Sequence, residues 1–288
     1  MTIGDAMAGI PAMTNGPHVI VKASAIRVTG QSYRTPMCLL HEPRPCHTDF
    51  MISVIITTLN AAATLPATLE SLVPAAVQGL VREVLIIDGG STDTTLNIAD
   101  GFGAVSISGG PLRASRLALG AQHARFPWLL FINPDCALDP GWEREASHLI
   151  EKIEDGNRRP TAAVFRFALD DTGIEPRTTE WLARWSAALM GFSHAEQGLL
   201  IPRTLYAEVG GYKPYPMLED VDLSSRVGRR RLAKLRTIAL SNANRYRQQG
   251  YIGRALRYYG SLGLYALHVP MERIASLLGP PPKQAPGV

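Results

Sequence analysis

Cysteine is scarce in this chain: three in 288 residues, at Cys38, Cys46 and Cys136. An odd number at wide spacing gives no disulfide framework and fits a reducing cytoplasm better than secretion. Long apolar runs are also missing. The best candidate, residues 258–269, falls short of the roughly 20 residues that span a bilayer, and Pro270 interrupts it. No positively charged start leads into a sustained apolar core, so the beginning does not read as a signal peptide. Charge of one sign is only mildly in excess, with 29 Lys and Arg against 25 Asp and Glu, a net charge of +4. That excess is not gathered into a tract, which argues against nucleic acid and leaves an anionic small ligand or a membrane surface open. Two phosphate-binding signatures are absent, G-x-x-x-x-G-K-[ST] and G-x-G-x-x-G, and no internal repeat is visible.

What is present is enough apolar side chain, 46% of the chain, for one main domain with a large core. Residues 1–50 read as a flexible extension, with scattered Pro, Gly, Thr and Ser and one short strand-like piece at 18–21; Met51 would be a plausible alternative start. Cys38, His41, Cys46 and His47 in that stretch match no established zinc-ligand spacing.

From residue 51 the grammar sharpens. "MISVIITTLN" (51–60) is a β-branched run ending in polar residues, and "LPATLESLVPAAVQ" (65–78) follows with helical spacing. "VREVLIIDGGSTDTTLNIAD" (81–100) repeats the pattern: a strand at 84–87, a turn at Asp88-Gly89-Gly90, and Ser91 or Thr92 placed to begin a helix. A strand at 104–108, a helix over 111–124 and the apolar "WLLFIN" come next. This alternation predicts an α/β fold with a single, mostly parallel open sheet flanked by helices, in which ligands sit beyond the carboxyl ends of the strands. The polar clusters fall at those ends: Thr57, Thr58 and Asn60 after the first strand, Asp88 to Asp93 after the second, Asn133 and Asp135 after the fourth. Any one of them is ordinary turn chemistry. Their shared rim points to a site, and a lone acid such as Asp135 suits a divalent cation whose shell is completed by diphosphate oxygens.

The blocks "SVIITTLN", "VLIIDGGSTDTT", "FINPD", "QGLLIPRTLYAEVGGY" and "LEDVDLSSRV", in this order, resemble the family 2 glycosyltransferases of the type A glycosyltransferase (nucleotide-diphospho-sugar transferase) fold. The likeness covers about residues 51–240, the expected catalytic domain, and leaves 241–288 as a helical C-terminal appendage. The resemblance implies that Asp135, in an Asn133-Pro134-Asp135 version of the family's Asp-x-Asp element, holds Mn²⁺ or Mg²⁺. That version also occurs in rhamnosyltransferase-like relatives. It implies nucleoside contacts from Asp88 and Asp93 with Thr58 and Asn60 beside them, and a catalytic base at Asp220, next to Glu219. The acid that usually follows Asp88 is Gly89 here. Arg113 matches an arginine of a closer subgroup found beside radical-SAM and selenodomain proteins, where Gln and Asn would stand at Arg116 and Ala118. Arg113 is a candidate for the diphosphate, since a guanidinium meets phosphate oxygens through two parallel donors.

The implied activity is a divalent-metal-dependent, inverting transfer from a nucleotide-sugar donor to a hydroxyl acceptor, glycan or lipid-linked, with no nucleic acid involved. Two other readings stay open: a nucleotidyltransferase on a related sheet, and a catalytically inactive nucleotide-sugar-binding or membrane scaffold protein. Residues 179–198 are where an acceptor pocket is expected. Trp181, Trp185 and Phe192 are candidates for stacking there, although helical spacing favours Trp181 and Trp185 in a core, and His194 and Gln197 are acceptor contacts of lesser standing. The acids at 219, 220 and 222 also suit a helix amino terminus, the role preferred for Asp222. The tail over 245–278, rich in Arg, Tyr and Leu, supports equally an interfacial hairpin on the inner face of the plasma membrane and packing against the catalytic domain or another subunit.

Overall fold

The computed structural model describes residues 50–190 and 195–278. The expected extension up to residue 49, the Cys38, His41, Cys46 and His47 group, Phe192 and His194 lie outside the described residues, as does the side chain of Trp185.

In chain order the elements are β1 (Ile52–Thr58), α1 (Leu65–Val77), β2 (Val81–Asp88), α2 (Thr95–Gly101), β3 (Val105–Ser108), α3 (Arg113–His123), β4 (Trp128–Ile132), β5 (Cys136–Leu138), α4 (Trp142–Glu154), β6 (Ala162–Leu169) and α5 (Ile174–Met190). A 3-10 turn at Ala195–Gln197 then leads into β7 (Leu199–Pro202), α6 (Arg203–Glu208), α7 (Glu219–Val227), β8 (Leu232–Ser241), α8 (Asn244–Gln249), α9 (Tyr251–Ala266) and α10 (Met271–Leu278).

The strands form one sheet in the order β3-β2-β1-β4-β7-β6-β8-β5. From β3 to β4 every pair is parallel, as the β-branched runs joined by helices require. Beyond β4 the sheet becomes mixed: β7 runs antiparallel to β4 and β6, β8 is parallel to β6, and short β5 caps the edge antiparallel to β8. The chain builds outward from β1 through β2 to β3, then returns to place β4 on the other side of β1. That reversal opens a crevice at the carboxyl ends of β1 and β4, the position where such sheets bind ligands.

Both faces of the sheet are covered. Val54 and Ile56 of β1 pack with Leu65, Leu69 and Leu72 of α1 and Ala146 and Ile150 of α4. Ile55, pointing the other way, packs with Leu117 and Ala121 of α3, in a cluster that also holds Leu205 of α6 and Leu223 and Val227 of α7. The approach of α3 to β1 is so close that a Cβ at Gly120 would collide with Ile55. Helices α3 and α7 therefore share one face of the sheet, and their amino termini meet at the crevice.

Three expectations change. Helix α2 begins at Thr95, not Ser91 or Thr92, because those two residues are engaged by Asp88 and Asn60. Asp222 lies in the first turn of α7, where an acid was expected, but makes no capping bond; its carboxylate pairs with Arg226 one helical turn on. Trp181 on α5 is half exposed, so it is not a core residue. For the tail, α9 and α10 bury Leu262, Met271 and Ile274 against Leu218 and Val221 at the start of α7. Each such burial contributes roughly 1.5–3 kcal/mol, so packing on the catalytic domain accounts for these positions, whereas Ile252, Leu256, Leu267 and Leu277 of the same tail stay exposed. Among the described residues no helix is long and apolar enough to cross a membrane.

Candidate active site

At the carboxyl end of β2, Asp88 is buried and accepts four hydrogen bonds: from Thr58 Oγ1 at 2.8 Å, Ser91 Oγ at 2.5 Å, Gly90 N at 2.9 Å and Ser91 N at 2.7 Å. Burial by itself would raise this carboxyl; the bonds from Ser91, Thr58 and Gly90 outweigh it and hold Asp88 below the ordinary carboxylate range. Asn60, in the left-handed region at φ 51°, receives Thr92 N on Oδ1 at 2.8 Å and donates its own N–H to Ser91 Oγ. Asp93 accepts from Ala62 N at 3.0 Å and from Thr95 Oγ1 at 2.5 Å, while Thr95 Oγ1 accepts from Ala61 N. The loops after β1 and β2 are thus stitched into one wall. Thr58, Asn60, Asp88 and Asp93 come together there, with the acids turned into the wall itself.

The opposite side is built on Arg113, the first residue of α3. Its Nη2 donates to Asn133 Oδ1 at 2.9 Å, and its Nη1 to Asp220 Oδ2 at 2.8 Å and to Glu219. Residues more than 100 positions apart are joined in this way. The two carboxylates raise the Arg113 guanidinium against the effect of its burial. Tyr212 donates its hydroxyl to Asp220 Oδ1 at 2.8 Å, and burial with Asp220 beside it keeps that phenol well above its ordinary value, hence protonated. For Glu219, burial raises the carboxyl, Arg113 pulls it back, Asp220 adds to the rise, and the net shift is upward. Leu218, just before this pair, holds a left-handed φ of 57° while its side chain is buried against the tail. Strain of about 1–3 kcal/mol there sets the angle at which α7 presents its acids.

Asp135 lies past the end of β4, buried, its carbonyl accepting from Asn242 N at 2.9 Å just after β8. Gln197 is buried at the end of the 3-10 turn that precedes β7. Among the described residues no group of three His, Cys, Asp or Glu side chains is placed to hold a metal ion alone. The donor set fits a hard cation that arrives with phosphate oxygens, for which one carboxylate is sufficient.

Several site residues were not foreseen. Tyr212 follows the Gly210-Gly211 turn, which was visible, but its bond to Asp220 is tertiary. Arg116, one turn after Arg113, is buried and donates Nη1 to the carbonyls of Gly110 at 2.9 Å and Pro111 at 3.0 Å. Glu196 receives Tyr246 Oη and Arg254 Nη2, each at 2.6 Å, and Arg254 stacks 4.4 Å above the Tyr246 ring. The tail therefore reaches back to the segment that leads into β7, and only the Arg and Tyr content of that tail hinted at it.

Comparison with known proteins bears on the family and the fold. The model of the glycosyl transferase family 2 matches residues 53–203, just over half of the chain. The match ends before α7, so Glu219 and Asp220 lie beyond it. A PGL/p-HBAD biosynthesis glycosyltransferase of Mycobacterium bovis is 29% identical over 197 residues, covering 61% of this chain and 69% of that protein. Among solved structures, glucosyl-3-phosphoglycerate synthase from Mycobacterium tuberculosis, in complex with Mn²⁺, uridine diphosphate and glucosyl-3-phosphoglycerate, superposes with a TM-score of 0.55 at 20% identity, covering 76% of this chain and 81% of that one. Mannosyl-3-phosphoglycerate synthase from Rubrobacter xylanophilus gives a TM-score of 0.51 at 16% identity, covering 73% and 75%. At these identities the two structures show the shared fold.

Proposed function

This chain belongs to the family 2 glycosyltransferases, and on that premise we propose that it transfers a sugar from a nucleoside-diphosphate donor to a hydroxyl acceptor with inversion, assisted by a divalent cation. The observation that carries the reading is the Arg113 bridge, which joins Asn133, beside Asp135, to Glu219 and Asp220 at the mouth of the β1–β4 crevice.

Asp220 is the base. An acceptor hydroxyl is a poor nucleophile, and a carboxylate within hydrogen-bond reach removes its proton as attack on the anomeric carbon develops, a contribution of about 10²–10⁴-fold. Tyr212 fixes the carboxylate through Oδ1, leaving Oδ2 as the atom that takes the proton. Oδ2 accepts a hydrogen bond from Arg113. A diphosphate gives Arg113 a stronger partner, so donor binding releases Asp220 for the acceptor. Asp135 would hold the cation, which when bound neutralises charge on the departing diphosphate. Asn60, Asp88 and Asp93 keep the nucleoside wall in shape, and Arg113 orients the phosphates. Attack and departure on opposite faces of the sugar need no covalent enzyme intermediate.

Release of nucleoside diphosphate from a panel of sugar nucleotides, with and without Mn²⁺, tests this. Wild type is expected to turn over only with the ion. Asp135→Ala is expected to lose the Mn²⁺ response and the thermal stabilisation by nucleoside diphosphate; a variant that keeps both would remove Asp135 from the cation.

A further inference from the structure

Arg116 is 4% exposed, yet it forms no ion pair among the described residues. Its Nη1 is anchored on the carbonyls of Gly110 and Pro111. Its Nε is cut off from solvent and has no acceptor, and Nη2 has none among the described residues. Those two nitrogens form the edge of a guanidinium that grips an oxyanion through parallel N–H groups. Arg113, one turn earlier on α3, has Glu219 and Asp220 as counter-charges. The nearby carboxylate on the other wall, Asp88, has its acceptor positions filled by Thr58, Gly90 and Ser91.

The slot that holds this cation is made by glycine. A Cβ at Gly89 would sit 2.7 Å from Arg116 Nη1 and 3.0 Å from Cζ, and one at Gly109 would sit 2.7 Å from Arg116 Cγ. Gly89 directly follows β2 and Gly109 directly follows β3, so the slot opens on the rim that carries the rest of the site. A buried charge without a partner is costly in a folded protein, and a ligand that brings the missing negative charge to this rim removes the cost.

We propose that Arg116 is a further binding residue of this site, recognising a phosphate oxyanion of the nucleotide donor. The proposal rests on the donor reading above. A carbonyl of the nucleobase would offer the same edge an acceptor but no charge, and a desolvated guanidinium favours the oxyanion. Arg113 and Arg116 then divide the work: Arg113 exchanges between the acids and the donor, whereas Arg116, anchored through Nη1 on two backbone carbonyls, turns its remaining edge to the oxyanion.

The test is calorimetric titration of the full chain with UDP, GDP, dTDP and ADP in Mn²⁺, with the matching nucleosides measured by competition, for wild type, Arg116→Gln, Gly89→Ala and the double variant. For the tightest diphosphate, Arg116→Gln is expected to weaken binding about 10–100-fold and to leave the nucleoside unchanged. Gly89→Ala, whose methyl displaces the far end of the Arg116 side chain, should reproduce the loss with the arginine still present. The double variant should lose no more than the larger single loss. Diphosphate binding in Gly89→Ala and Arg116→Gln equal to wild type overturns the role of Arg116 alone, as does an equal loss for the nucleoside. Wild type that binds none of the four diphosphates overturns the donor reading as well. Should Arg116→Gln fail to fold, Gly89→Ala decides.

Discussion

A carboxylate offers about four acceptor positions, and Asp88 uses four, three within its own turn and one to Thr58 on β1. Asp88 therefore holds Gly90 and Ser91 in place, and the consequence is measurable in stability. Because its folded value lies below the ordinary one, the stabilisation is fully present above the unfolded value, about 4, and is lost as pH falls through the folded value. Asp88→Asn is expected to melt below wild type at pH 7, and the gap should close as pH is lowered into the acid range. A gap of constant size would show that the ionised carboxylate is not what matters. Asp220 differs in kind: one oxygen is fixed by Tyr212 and the other by an arginine that also bonds Glu219 and Asn133. These are bonds between residues far apart in sequence, and spacing alone cannot reveal them. The types Asp135, Asp220 and Arg113 could be singled out from motifs, while Tyr212 and Arg116 became visible only through their contacts.

At the scale of elements, the parallel half of the sheet was legible because β-branched runs and helical spacing alternate cleanly from Ile52 to Ile132. The antiparallel insertion of β7 and the three-residue β5 were not, since short apolar pieces carry no direction. The reading of α2 failed for a related reason: Ser91 and Thr92 look like helix starts, but their groups are taken by Asp88 and Asn60. The tail shows the limit most plainly. Its arginines and tyrosines suit a membrane boundary and internal packing equally well by composition, and the structure shows the packing: α9 and α10 sit on α7, with Arg254 bonded to Glu196. With side chains only 26% and 18% exposed, this pair is sheltered enough that removing one partner should cost on the order of 2–3 kcal/mol. Arg254→Met is accordingly expected to lower the melting temperature by roughly 5–10 °C in calorimetry. An unchanged midpoint would mean that α9 is held by its apolar contacts alone.

At the scale of the molecule, the sheet order does the assembling. Placing β4 beside β1 opens the crevice, and packing α3 and α7 on one face brings Arg113 to Glu219 and Asp220 across more than 100 residues of chain. Arg113 thereby joins Asn133 to Glu219 and Asp220, and the proposed function links donor binding and deprotonation of the acceptor through that guanidinium. One variant separates donor binding from deprotonation of the acceptor. In Asp220→Asn, with Mn²⁺ present, affinity for nucleoside diphosphate and its release from the sugar donor should be measured on the same preparation. Binding is expected to be unchanged or tighter, because Arg113 has lost a competing partner, with turnover down by about 10²–10⁴-fold. Wild-type turnover, or binding and turnover that fall together, would contradict the proposed link.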